Sequence, residues 1–271
     1  MDRNVTAMYF SGTGTTEKMV SFIAKNIAEK LGVKYDCYNF TKPQARISAK
    51  TFTPDDIVIL GTPVIAGRVP NLLLEYLNSL VGNGALGVSI VMFGNRSYDD
   101  ALVELKAIMQ KCQFKTIAAG GFAAEHSFST LLGQDRPDST DLNEAKLFAD
   151  KIAFKILNGD YSIVTTCENE EIGPYYMPRD RHGNHIDIRK VKPKTDLNKC
   201  TECGFCAENC PLGSIDFNDV SKIPGICMKC CRCVKLCPSK AKFFDDPGYI
   251  YHKEELEAVY GQRRAENKYF I

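Results

Sequence analysis

Residues 5–31 read VTAMYF-SGTGTT-EKMVSFIAKNIAEKL. Val5 to Phe10 is a short apolar run suited to a buried strand. Met19, Ile23, Ile27 and Leu31 then fall four apart, on one helix face. Between them lies the small-residue loop Ser11-Gly12-Thr13-Gly14-Thr15-Thr16. Strand, loop and helix in this order open a parallel α/β sheet. The same alternation recurs downstream. Val33 to Tyr38, Asp56 to Gly61, Val88 to Phe93 and Thr116 to Ala119 predict four more strands, the last ending before Gly120-Gly121. Pro70 opens a helix with Leu73, Leu77 and Leu80 inward. Leu102, Leu105 and Met109 mark the next helix, and Ala145, Phe148, Ile152 and Ile156 stripe the one after. The expected fold is a doubly wound parallel sheet of five strands, ordered 2-1-3-4-5, over residues 1–158.

In such a sheet the ends of strands 1, 3 and 4 meet at one topological switch point. Each carries a small-residue loop. The first, Ser11 to Thr16, offers backbone N–H groups, hydroxyls and a helix N-terminus to an anion. Gly12 and Gly14 let the backbone close around a phosphate. No lysine follows as in G-x4-G-K-[ST], which disfavours a nucleoside triphosphate. On its own this loop reads equally well as a turn with an N-cap. The second loop is Gly61-Thr62-Pro63-Val64-Ile65-Ala66-Gly67-Arg68-Val69-Pro70, and the third is Phe93-Gly94-Asn95-Arg96-Ser97-Tyr98-Asp99. Together they form a pocket with a phosphate end and a flat, partly aromatic end.

These three motifs resemble the flavodoxin family, over residues 3–157. The resemblance implies a non-covalently bound FMN. It implies that Ser11, Gly12, Thr13, Gly14, Thr15 and Thr16 hold the phosphate. Pro63, Val64, Ile65, Ala66 and Gly67 would line one flavin face; Phe93, Gly94, Asn95 and Tyr98 would line the other, with Tyr98 stacking. The chain has no Trp, and Ile65 stands where many relatives carry an aromatic. The expectation is an FMN easier to reduce than one stacked on both sides.

Cysteine usage divides the chain. Of twelve cysteines, Cys37, Cys112 and Cys167 are scattered and read as small buried hydrophobes. The rest lie after residue 198. Cys200-x2-Cys203-x2-Cys206-x3-Cys210-Pro211 is followed, 27 residues on, by Cys227-x2-Cys230-x2-Cys233-x3-Cys237-Pro238. Thiolates in fours suit iron–sulfur clusters or zinc. Zinc ribbons usually show separated C-x2-C pairs, so the unbroken run favours clusters. The run resembles that of bacterial ferredoxins with two [4Fe–4S] clusters. That resemblance implies crossed ligand sets: Cys200, Cys203, Cys206 and Cys237 on one cluster, Cys227, Cys230, Cys233 and Cys210 on the other. Cys231 breaks the spacing and reads as a non-ligand near a cluster sulfur. The expected parts are a linker over 159–197, a small α+β ferredoxin-like domain over 198–243 and a docking segment over 244–271.

The combined order resembles flavodoxin–ferredoxin fusion proteins. It implies an electron-transfer protein that passes electrons between two clusters and FMN, and on to an external redox partner. A flavin-dependent reductase of a small molecule and a redox-sensing module with structural clusters stay open. No G-x-G-x-x-G unit follows a strand, which disfavours direct use of NAD(P)H. The net charge of +1 gives no pull toward nucleic acid. No apolar run reaches membrane-spanning length, and the first residues do not read as a signal peptide, so a cytoplasmic protein is expected. His126 follows the last strand and reads as a surface or hydrogen-bonding loop residue, or as a proton partner near the flavin. Gly183-Asn184 suggests a hairpin turn. The basic stretch Arg179 to Lys194 reads as a solvated face or a docking patch for an acidic partner. Tyr175, Tyr176 and Met177 suggest that the linker packs against a domain.

Overall fold

The structure is a computed structural model that describes residues 3–166 and 171–271. The opening stretch folds as read: β1 (Asn4–Tyr9) runs into the loop and α1 (Thr15–Leu31). Then come β2 (Lys34–Asn39), β3 (Asp56–Pro63), α2 (Leu74–Asn78), β4 (Leu86–Phe93), α3 (Ala101–Lys111), β5 (Lys115–Ala123) and α4 (Ser139–Leu157). The parallel strands take the order β2-β1-β3-β4-β5, which is flavodoxin-like. Alternate residues feed two cores. Val5, Ala7, Ile57, Ile59, Val88 and Ile90 pack with Ile23, Ile27, Phe148 and Ile152 of α1 and α4. Met8, Val58, Leu60 and Val91 pack with Leu77, Leu102, Leu105 and Met109 of α2 and α3. Both faces are therefore covered, as a parallel sheet requires.

Three expectations change. The helix expected at Pro70 is a 3-10 turn over Asn71–Leu73 continued by the five-residue α2, although Leu73, Leu77 and Leu80 are all buried. β5 runs through Gly120-Gly121 to Ala123. The glycines sit in the strand because rings lie on them: a Cβ on Gly121 would be 2.7 Å from the Tyr98 ring, and one on Gly120 would be 2.7 Å from Phe122. Cys37 is exposed, because β2 is the edge strand, and its thiol meets the Tyr9 hydroxyl at 3.2 Å. Cys112 is buried, and Cys167 lies outside the described residues.

The cysteine-rich part is built from β6 (Lys194–Thr195), α5 (Phe205–Glu208), α6 (Arg232–Lys235) and β7 (Lys242–Phe243), with β6 and β7 paired antiparallel. α7 (Pro247–Tyr260) follows. The chain then returns to the first sheet as β8 (Lys268–Phe270), antiparallel to β5. The sheet thus has six strands where five were expected. Among the described residues, no helix is long and apolar enough to cross a membrane.

Candidate functional site

The cysteine repeat is also a repeat of backbone geometry. Glu202 and Lys229, Gly204 and Cys231, and Gly213 and Lys240 each stand 27 residues apart, and all six have positive φ. Gly204 and Cys231 occupy the same place, the left-handed N-cap of a four-residue helix. The Ser214 amide donates to Cys210 Sγ (3.4 Å), and its counterpart Ala241 donates to Cys237 Sγ (3.3 Å). Amides aimed at sulfur stabilise thiolate charge and tune a cluster.

Each half shapes one cavity. Cys200, Cys203, Cys206 and Cys237 line one small pocket, walled by Phe205, Val220 and the buried Lys242. Cys210, Cys227, Cys230 and Cys233 line a second, with Ile215, Ile223 and Phe244. The fourth cysteine of each run faces the cavity of the other run. Among the described residues, no His, Cys, Asp or Glu group closes tightly enough for a single metal ion. Burial pushes the Cys230 thiol up to about 12 and raises Cys233 too, so bare thiolates are costly there without a counter-charge. Cys231 also reaches the second cavity, but its Sγ faces the Tyr249 hydroxyl at 3.4 Å and the Lys229 carbonyl at 3.5 Å.

The three sheet loops lie on one edge. Ser11 organises the first: its Oγ accepts from the amides of Gly14 (3.1 Å) and Glu17 (3.2 Å), while its own N–H goes to Thr41 Oγ1 (2.8 Å). Thr13 and Thr15 are half-buried and Thr16 is buried. The second loop closes in a two-residue turn. Ile65 and Arg68 exchange backbone hydrogen bonds across Ala66 (φ 51°) and Gly67 (φ 74°). A Cβ on Gly67 would be 2.4 Å from an Asp99 carboxylate oxygen, so the second and third loops interlock. The half-buried Arg68 grips Glu104 through Nε (2.8 Å) and Nη2 (2.6 Å), and Glu104 also accepts from Val69 N (2.8 Å). Pro63, Val64, Ile65 and Ala66 remain partly exposed. Buried Thr62 Oγ1, at the end of β3, has no hydrogen-bond partner among the described residues.

The third loop departs from the sequence reading. Phe93 is buried and Tyr98 meets it edge-on at 5.5 Å. Asn95 was expected on the flavin face, but its side chain is committed elsewhere. Its Nδ2 donates to the carbonyls of Tyr260 (2.9 Å) and Arg263 (2.8 Å), and its Oδ1 accepts from Ala265 N (3.0 Å). Nothing in the local sequence signals this, because the partners lie some 165 residues away. His126 is half-buried and serves as a hydrogen-bonding loop residue. Its ring presses on Gly94, where a Cβ would be 2.2 Å from Cδ2. Its Nδ1 accepts from the Phe128 amide at 3.0 Å. Burial, then Lys235, His252 and Arg96, push its pKa down to about 3, so the ring is neutral with the proton on Nε2.

The linker and α6 close over this edge. The Tyr176 amide donates to Ala66 O (2.8 Å), the Tyr175 hydroxyl donates to Val69 O (3.0 Å), and both rings stack on arginines, Arg68 and Arg96. Met177 is exposed. The turn at Gly183-Asn184 is present, with Arg179 bridged to His185. Much of the basic stretch is paired: Arg181 with Glu255, Arg189 with Asp187 and Lys194 with Asp245. α6 wedges between two sheet loops. Lys235 Nζ donates to the carbonyls of His126 (2.6 Å) and Ser129 (2.9 Å) and pairs with Glu125. A Cβ on Gly12 would be only 3.1 Å from Cys230 Cβ, so the second cavity's wall rests on the first sheet loop.

Residues 193–216 match a family model described as a 4Fe-4S binding domain. No curated protein matches the chain. Among solved structures, an archaeal flavodoxin is similar at 17% identity, over 57% of this chain and 99% of its own, with a TM-score of 0.38. A Streptococcus pneumoniae TIGR4 flavodoxin is similar at 17% identity over 56% and 99%, with a TM-score of 0.39. Rubredoxin oxygen:oxidoreductase from Desulfovibrio gigas is similar at 17% identity over 59% of this chain and 37% of its own, with a TM-score of 0.41. The chain thus joins a parallel sheet of flavodoxin-like strand order to a segment that matches the 4Fe-4S binding model.

Proposed function

We propose that the chain is an electron-transfer protein that works between two [4Fe–4S] clusters and one FMN, and hands electrons to or takes them from an external redox protein. The observation that carries this reading is the pair of cavities, one lined by four cysteines and the other by five, each set drawn from both runs. When bound, the clusters supply one-electron steps at thiolate-held iron and FMN supplies one- or two-electron steps. Cys200, Cys203, Cys206 and Cys237 hold one cluster; Cys210, Cys227, Cys230 and Cys233 hold the other. Ser11 shapes the phosphate loop, whose amides and Thr13, Thr15 and Thr16 hydroxyls face the anion. Pro63 to Gly67 and Phe93 to Tyr98 form the walls of the flavin slot. Arg68, Tyr175 and Tyr176 keep those walls closed. α6 holds the second cavity against the phosphate loop, which keeps the two redox parts adjacent without relying on a flexible tether.

The test is anaerobic purification with iron, sulfide and flavin analysis, followed by redox titration. About eight irons and one FMN per chain, titrating reversibly, are expected. Stoichiometric zinc without sulfide, or clusters that never exchange electrons with the flavin, would overturn the reading.

A further inference from the structure

Arg232 stands between Cys231 and Cys233, yet its side chain crosses to the sheet. Its Nη1 donates to the carbonyls of Ser11 (3.3 Å) and Gly12 (2.8 Å). Its Nε is buried and has no partner among the described residues. The contact is tight, since Gly12 leaves no room for a Cβ beside Cys230. The loop from Ser11 to Thr16 contains no lysine or arginine of its own.

The two carbonyls belong to the peptide units whose N–H groups are those of Gly12 and Thr13. In a trans peptide the N–H points opposite to the C=O. A cation on the oxygen side therefore strengthens the donor on the far side of the loop. It also adds positive charge next to α1's N-terminus, which carries partial positive charge already.

We propose that Arg232 makes the Ser11–Thr16 loop selective for a phosphate dianion, so that the cluster-bearing part completes the flavin site of the sheet. This rests on reading the loop as the FMN phosphate site. Arg232 acts as a positioning residue, through the peptides it grips.

The experiment titrates the full-length chain, stripped of flavin and with its clusters intact, with FMN and with riboflavin. Flavin fluorescence reports binding. The wild type is expected to prefer FMN strongly. R232Q should weaken FMN by about 10- to 100-fold, the range of a lost charge-assisted hydrogen bond, and leave riboflavin unchanged. Iron content and cluster absorbance check that the variant is loaded. If R232Q does not load, R232M replaces it: weakened FMN with unchanged riboflavin supports the inference, and unchanged FMN binding overturns it. Equal weakening of both flavins in R232Q, or unchanged FMN binding, overturns it as well. A wild type that binds both flavins alike overturns the role of Arg232 and leaves the flavin reading standing. A wild type that binds neither removes both.

Discussion

Cys231 is the cysteine that the ligand spacing leaves over, and the repeat accounts for its place. It stands where the first half has Gly204, with φ 57° against 71°. A side chain at a left-handed N-cap costs conformational energy that glycine avoids. The thiol is buried against Tyr249, and burial pushes its pKa up to about 12, so it stays protonated. C231G is expected to keep the full iron content, whereas C233S loses one cluster; iron analysis and cluster absorbance decide. A loss of iron in C231G would make Cys231 a ligand. His126 and His252 give a second prediction at this scale. Burial, with Arg96 and for His126 also Lys235, pushes their pKa values down to about 3 and about 4. Both lie below the value of about 6.5 in an unfolded chain. The unfolded state therefore binds protons first as pH falls. Stability is full above about pH 6.5 and declines toward pH 4, by roughly 1.4 kcal/mol per pH unit for each histidine. Chemical denaturation at pH 7.5, 6 and 5 measures the slope. H126Q should reduce it by about half between pH 6 and 5; an unchanged slope would place the acid sensitivity elsewhere.

At the scale of elements, β8 shows where sequence reading ends. The parallel strands were legible because each is a continuous apolar run with a helix behind it. The cysteine runs were legible from their regular spacing, and the residues that the resemblance grouped line the same cavities. Lys268-Tyr269-Phe270 has neither signal, and its partner strand lies about 150 residues upstream. What holds it is side-chain chemistry that only the fold assembles. Arg136 is buried and clasps the buried Asp141 through Nε (3.0 Å) and Nη2 (2.6 Å), while Nη1 donates to Ala265 O (2.7 Å). Asn267 bridges Asp141 (2.9 Å) and the Ala123 amide (2.9 Å). Asn95, in the third sheet loop, likewise bonds this closing segment through its side chain. Arg136→Ala removes the buried cation from Asp141 and leaves the carboxylate only the partly exposed Arg264 (3.1 Å) and Asn267. The cost should be about 3–5 kcal/mol by chemical denaturation. Amide hydrogen exchange along Ala119–Gly121 should quicken as β8 detaches. A loss of stability with unchanged exchange there would show that β8 holds without Arg136.

At the scale of the whole molecule, the two cysteine runs are not two modules, because each cavity borrows its fourth thiol from the other run. Among the described residues, the second cavity is the one shown against the sheet: Cys230, on its wall, packs on Gly12, while Arg232 and Lys235 anchor the following helix to the loops at Ser11 and His126. The two cavities are therefore unequal in their access to the flavin slot, although their ligands look interchangeable in sequence. Cys203 and Cys210 come from the same run yet belong to different cavities, so they separate these ideas. C203S and C210S should each lower the iron content to about half. C203S should share its remaining cluster spectrum with C237S, and C210S with C227S. Stopped-flow reduction of the flavin should then stay near the wild-type rate in C203S. In C210S it should fall to the background of the C203S/C210S double variant, since the cluster nearest the sheet is gone. Equal slowing in both single variants would mean that contact between Cys230 and Gly12 does not set the route. Spectra that pair C203S with C210S would mean that each run closes on itself and that the crossed cavities do not describe the loaded protein.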